Sequence, residues 1–393
     1  MTAPAIPQTA PPADLHAELL DCLQVNLAWL ARAEYGVSPL VLGARLDFTP
    51  RDHGPGRLPT VEAATDAHVE RTAQALGLSL THRHTLPPGT GALPPGPGAT
   101  YVIADAYHLP WVPYRGHSHM DHSFLLDRDP SGRAVVRDGY HNDTPYGPAR
   151  PGTWTLTEEE LAAALPDGAH VYGLTRAGVP QDAIEAVPAT AAAVESYVRA
   201  YREHPDREQA LAQLTLETWL LARTRRLHAA RRATDANPPA VEEHLTAWGK
   251  LAEQTFLAHR RVQRGRPEPT GPLERLPALL HADARVFTAP TGQADPVTAR
   301  AGTADTTSSD THALRTAVAE EAAAVLRVPA DELLAGRALT EIPGFGSFRM
   351  VDIVERIEER LDIEFDAADL VPENLHDLDG LCRITARAHR ETP

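Results

Sequence analysis

The chain has 393 residues, 42% hydrophobic and 23% charged, enough for two or three domains that each bury a core. Its formal charge is −16 and no basic patch offsets it, which argues against nucleic-acid or anionic-membrane partners. Cys22 and Cys382, the two cysteines, stand in unrelated contexts, and the opening MTAPAIPQTAPPAD lacks a signal region, so the expectation is a cytoplasmic protein with neither a disulfide framework nor a membrane span.

In chain order, residues 1–13 form a Pro/Ala tail expected to be disordered. Apolar Leu23, Leu27 and Leu30 then set a helical spacing over Asp14–Tyr35, stopped by Gly36. Gly/Pro clusters interrupt residues 50–99 around one helix near Val61–Leu76, and strand-like runs follow at Thr100–Ala104, His122–Leu126 and Ala134–Arg137. Residues 14–184 thus read as an α+β domain. Residues 185–288 change to Ala/Leu/Glu/Arg-rich sequence with helical patterns at Ala191–Glu203, Glu208–Ala233 and Val241–Arg261, a second, helical domain. The short arginine run from Arg223 to Arg232 reads as a solvated helix face. Residues 289–311 hold almost no large apolar side chain and predict a flexible linker, with a root-mean-square reach of about 25 Å. Within residues 312–390, stripes at Leu314, Val318, Ala322 and Val325, at Met350, Val351, Val354, Ile357 and Leu361, and at Leu375, Leu378, Leu381 and Ile384 predict an all-α bundle. Ser347 follows GFG at the head of the second helix, where its side chain can cap the helix and a phosphodiester on it would meet the helix dipole. The opposite face of that helix is acidic, with Asp352, Glu355, Glu358, Glu359 and Asp362. From Thr311 to Arg390 there are 16 acidic residues against 9 arginines, a net charge of −7 suited to docking on basic surfaces.

Chemistry in the first domain centres on Cys22, His122 and Asp138. A cysteine on a helix is most often a small buried apolar residue, but a helix N-terminus at Cys22 would lower its thiol pKa. His122 opens one strand of a predicted hairpin and Asp138 ends the other, adjacent positions in an antiparallel pair, which suits a Cys-His-Asp relay. The same stretch reads otherwise as zinc ligands, since His117, His119, Asp121 and His122 spell H-x-H-x-D-H. The helix that opens the domain and the strand-like SFLLD argue against that alternative, so no metal is expected. Tyr107, Trp111, Tyr114 and His119, just ahead of His122, are the expected substrate contacts.

Cys22, then ADAYHLPWVPYRGHSHMDHSFLL, then VVRDGY, resembles the N-terminal domain of the butirosin-pathway acyltransferase family, over roughly residues 14–285. The resemblance implies a papain-like cysteine fold, a helical second domain, and transfer of an acyl group from a carrier-protein thioester to an amine. Related peptidases place an oxyanion-hole Gln about six residues before the cysteine; His16 stands there, so that role falls to Gln24, Asn26 or backbone amides. GFGSFRMVDIVERIEERLDIEFDAADL is similar to the second helix and following loop of acyl and peptidyl carrier proteins, with Gly346, Ser347 and Phe348 where that family has Asp-Ser-Leu. That likeness implies 4'-phosphopantetheine covalently on Ser347, placed by a phosphopantetheinyl transferase. The expectation is therefore a carrier-fused acyltransferase of antibiotic-like natural-product biosynthesis, served by an acyl-loading enzyme in trans and a small-molecule acceptor with an amine or hydroxyl. A thioesterase or cyclase, a non-catalytic scaffold that presents the carrier, and a zinc hydrolase of metallo-β-lactamase type are the alternatives.

Overall fold

Side chains of TYVIAD alternate between two apolar surroundings, as a strand buried on both faces requires. In the computed structural model this run is β2 (Thr100–Asp105), an inner strand of a six-stranded antiparallel sheet. The structure describes residues 10–52, 54, 56–91, 99–180, 183–233, 238–269, 271–288, 309–343, 345–366, 369–370 and 372–391. Most of the expected tail and residues 289–308 of the expected linker lie outside them. The protein is mixed α+β and divides into two compact units, Met1–Arg51 with Thr60–Pro188 and Arg223–Asn237, and Asp52–Pro59 with Ala189–Ala222 and Pro238–Pro393. Among the described residues no helix is long and apolar enough to cross a membrane.

The first unit is built on the sheet, whose other strands are β1 (Leu78–Leu86), β3 (Asp121–Arg128), β4 (Ala134–Asp138), β5 (Gly152–Leu156) and β6 (Ala169–Arg176), in the spatial order β1-β6-β2-β3-β4-β5. Tyr101, Ile103 and Leu125 face helices α1 (Gln24–Tyr35) and α2 (Thr65–Ala75). Val102, Phe124 and Val136 face the opposite way, against α3 (Glu158–Ala164), which a Thr157/Glu160 capping box starts. Helix α1 is shorter than the expected Asp14–Tyr35, because the Asp21 carboxylate accepts the backbone N–H of Leu23 at 2.9 Å and of Gln24 at 2.8 Å and so fixes its start. From Val25 to Ala31 every residue of α1 is buried. Gly139, just beyond β4, leaves room for close packing: a Cβ there would stand 3.0 Å from the Val25 side chain and 3.2 Å from that of Trp29, which would have to shift by a few tenths of an ångström. The close approach ties the end of β4 to α1.

The arginine run keeps its expected solvated setting only in part, with Arg226 exposed. Arg223 and Arg225 are 8% and 1% exposed, and Arg223 donates to the carbonyls of Glu18 at 2.9 Å and His141 at 3.0 Å. The last turns of the long helix that carries it pack within the first unit, and there the Arg223 guanidinium ties chain segments together instead of facing water.

The second unit is helical. Helices α4 (Ala191–Glu203), α5 (Arg207–Arg232, of which residues 207–222 belong here), α6 (Pro239–Gln263) and α7 (Gly271–Thr288) carry buried polar pairs among their apolar contacts, such as Tyr197 to Glu217 at 2.7 Å and His244 to Asp283 at 2.8 Å. Helices α8 (Ser309–Leu326), α9 (Ala330–Leu334), α10 (Ser347–Leu361), α11 (Pro372–Leu375) and α12 (Leu378–Glu391) follow, with Val318, Ile353, Val354, Ile357, Leu381 and Ile384 in one core. The cap of α10 is Gly346, in extended backbone at φ −175°, so Ser347 is the first helical residue and not the cap expected of it.

Candidate active site

Two of the three expected catalytic residues form a buried pair. His122, fully buried at the start of β3, places its Nε2 2.7 Å from Oδ2 of Asp138, itself 3% exposed. The β3–β4 register pairs Leu125 with Arg137, and extending it sets His122 across from Tyr140 and diagonal to Asp138, on the same face, in place of the directly adjacent positions expected. The Tyr140 ring meets the imidazole edge to face at 5.3 Å. The other ring nitrogen of His122, Nδ1, is buried with no hydrogen-bond partner. An imidazole held at one nitrogen and unoccupied at the other has a fixed orientation and one free site for a proton.

Cys22 precedes α1 and is 8% exposed. Its contacts straddle His122 in sequence: the thiol lies 3.6 Å from the carbonyl oxygen of Asp121, and the Ser123 hydroxyl donates to the Cys22 carbonyl. The thiol thus bonds to Asp121, and the expected hydrogen bond to His122 is not made. The expected lowering of its pKa is reversed as well. Burial pushes the thiol well above its ordinary value, and the Asp21 and Asp138 carboxylates push the same way against the opposing Arg223 guanidinium. Burial is the main reason, and the carboxylate that caps α1 adds to it: Asp21 sets negative charge where the helix amides alone would favour a thiolate. Burial works against that carboxylate, but His68, 2.8 Å away, and the Gln24 amide outweigh it and hold Asp21 below its usual range. Alkylation of Cys22 should therefore be slow at neutral pH and climb only as pH rises beyond the ordinary thiol range. Asp21→Asn, which keeps a capping oxygen but removes the charge, should speed it roughly tenfold. A fast neutral-pH phase in the parent protein, followed by mass spectrometry, would contradict this electrostatic picture.

Of Asn26 and Gln24, expected at an oxyanion hole, Asn26 has its amide committed elsewhere. The Asn26 amide donates to the Ser123 carbonyl at 2.8 Å and to Oδ1 of Asp138 at 3.2 Å, while its own oxygen accepts the Gly139 N–H at 2.9 Å. Fully buried, it holds Asp138 in place and has no donor left for an oxyanion. Asn26→Ala should cost about 2 kcal/mol in denaturant unfolding by orphaning the Gly139 N–H, and should slow any reaction that needs the His122–Asp138 pair. Gln24 is half-buried, and its side-chain oxygen accepts the Asp21 N–H at 3.3 Å.

The expected substrate contacts separate into two groups. Tyr114 lies with Tyr140 near the thiol, their hydroxyls 3.3 Å apart, both raised in pKa chiefly by burial and also by Cys22. Tyr107 stacks on His119 at 4.1 Å, and His119 bonds Asp105 at 2.6 Å. Trp111 stacks on Trp154 at 6.0 Å and packs in the core behind the sheet. Sequence reasoning missed Tyr140 as a member of the site, although it ends the VVRDGY stretch. The four H-x-H-x-D-H residues take separate partners: His117 stacks on Tyr146, His119 bonds Asp105, Asp121 accepts from Thr65, and His122 holds Asp138. Among the described residues, the ligand atoms that gather within 4.8 Å are those of Asp105, His108 and His119. Asp105 there caps a turn, accepting from Tyr107 and Met120 N–H, and His108 bonds Asp167. Neither a scan against protein-family models nor a search of curated proteins finds a match to this chain.

Proposed function

We propose that the protein is an acyltransferase of papain-like type that draws its acyl group from its own carrier domain, as a thioester on a phosphopantetheine arm at Ser347. The observation that carries this reading is the buried His122, anchored through Nε2 to Asp138 with Nδ1 unpartnered beside the segment that bonds Cys22. In the first step the Cys22 thiol leaves the Asp121 carbonyl and gives its proton to Nδ1 as sulfur attacks the thioester carbonyl. The bond to the arm sulfur then breaks, and the proton passes from His122 to that departing sulfur. In the second step an amine or hydroxyl attacks the Cys22 thioester, His122 takes its proton, and the Cys22 sulfur leaves and is reprotonated. Because the thiol is neutral at rest, proton removal and attack go together, as at a serine nucleophile. In this reading the hydroxyls of Tyr114 and Tyr140, 3.3 Å apart, donate to the developing oxyanion. A linker holding the carrier supplies substrate at an effective concentration of order millimolar, so weak docking suffices.

The deep burial of Cys22 favours one other reading, in which the first unit only presents the carrier. A thiol-reactive acyl analogue separates them, since covalent labelling at Cys22 is expected of the enzyme and none of the scaffold. Zinc enters neither. Chelation should leave acyl transfer unchanged, and loss of activity on chelation with recovery on adding zinc would restore the hydrolase alternative.

A further inference from the structure

Two carboxylates of the acidic face of α10 are not exposed as its sequence suggests, while Glu359 and Asp362 of the same face are exposed. Glu355 and Glu358 are 4% and 3% exposed, each enclosed by arginines from the C-terminal end of α6 and the loop beyond it. Arg260 grips Glu355 as a fork, Nε to Oε1 and Nη2 to Oε2, both at 3.0 Å, and Arg264 reaches the same carboxylate at 2.7 Å. Arg261 donates to Glu358 at 3.1 Å and to the Phe365 carbonyl at 3.2 Å, with Arg266 at 3.4 Å from Glu358. Apolar contact adds to this: Phe256 meets Phe348 edge to face at 4.7 Å, and Leu257 joins the core of the C-terminal bundle. Beside these contacts lies a partly open pocket of about 140 Å³, lined by Glu253, Gln254 and Leu257 on α6 and by bundle residues including Gly346, Met350 and Val351.

We infer that the arginine-bearing end of α6 is a docking site for α10 that opens and closes in solution. The Glu355 and Glu358 carboxylates are then offered to other proteins only when undocked. A permanent domain interface is mainly apolar and close-packed; this one relies on charged pairs, which give orientation and specificity more than net affinity, beside a partly open pocket. The same carboxylates cannot face two partners at once, so docking on α6 and recognition of this face by a protein in trans exclude each other. That α10 belongs to an acyl carrier rests on the function proposed above, whereas the docking does not.

Glu355 is the cleaner probe, because Glu358 also accepts the Phe365 N–H within the bundle at 3.0 Å. Small-angle X-ray scattering of the full chain tests the docking. Glu355→Arg, or Arg260→Glu with Arg264→Glu, should release the bundle on its linker and lengthen the largest dimension by roughly 20 Å. Combining all three changes should return it to the parent value. The parent itself should lengthen in about 1 M salt, where the Debye length falls to about 3 Å, and this arm decides the matter if a variant fails a circular-dichroism check of folding. Folded charge-reversed variants that scatter like the parent, or a parent unmoved by salt when the variants are unfolded, would overturn the inference. Phosphopantetheine addition to Ser347, followed by mass in the same samples, separates the two claims. Addition without expansion sinks the docking alone, and expansion without addition sinks the carrier reading alone.

Discussion

Replacing Cys22 by alanine should lower single-turnover acyl transfer from pre-charged protein at least about a thousandfold, while leaving the charging of Ser347 intact. The substitution removes the nucleophile and little else. Alanine keeps the backbone carbonyl that accepts from Ser123, and the lost thiol makes one long bond to the Asp121 carbonyl, so the α1 start fixed by Asp21 should persist. His122→Ala should be about as severe. Burial and the Asp21 and Asp138 carboxylates hold the thiol neutral, so without an imidazole to take its proton it is a poor nucleophile at physiological pH. The two variants differ in thiol chemistry: His122→Ala retains a cysteine that alkylates at high pH, and Cys22→Ala retains none at that position. Loss in both with native circular dichroism supports the relay, whereas transfer at the parent rate by His122→Ala would place the base elsewhere.

The second large effect is expected at Ser347. Incubation with coenzyme A and a broad phosphopantetheinyl transferase should add the mass of one phosphopantetheinyl group, and Ser347→Ala should abolish the addition entirely. Ser347 is the first residue of α10, after an extended glycine, so the opening amides of the helix lack partners within it and favour a phosphodiester at this point. Alanine is a good helix former and should leave the bundle folded, which makes loss of addition specific to the hydroxyl. Addition that survives Ser347→Ala would move the attachment site.

Strongly periodic segments were legible before the structure. Ala191–Glu203 is α4 to the residue, and the runs at Thr100, His122 and Ala134 became β2, β3 and β4 with extensions of a residue or two. Less regular pieces escaped: β1 with LSLTHRHTL has too many polar residues to read as a strand, and α7 carries Pro277 within its span. The His122–Asp138 pair was legible because hairpin geometry is local. What surrounds Cys22 was not, since its thiol chemistry depends on Asp21 capping the helix and on Asp138 and Arg223 arriving from far along the chain. Asn26 shows the same limit. Its residue type suits an oxyanion donor, and only the packing of Gly139 against α1 reveals that its amide is already committed to Asp138.

The most direct measurement follows the acyl group itself. Protein charged on Ser347 with an isotopically labelled acyl group, mixed without acceptor and quenched over time, can be digested and each peptide weighed. The acyl mass should leave the Ser347 peptide and appear on the peptide containing Cys22, then vanish when acceptor is added. An acyl group that passes to acceptor without ever occupying Cys22, together with transfer at the parent rate by Cys22→Ala, would contradict covalent catalysis at this cysteine.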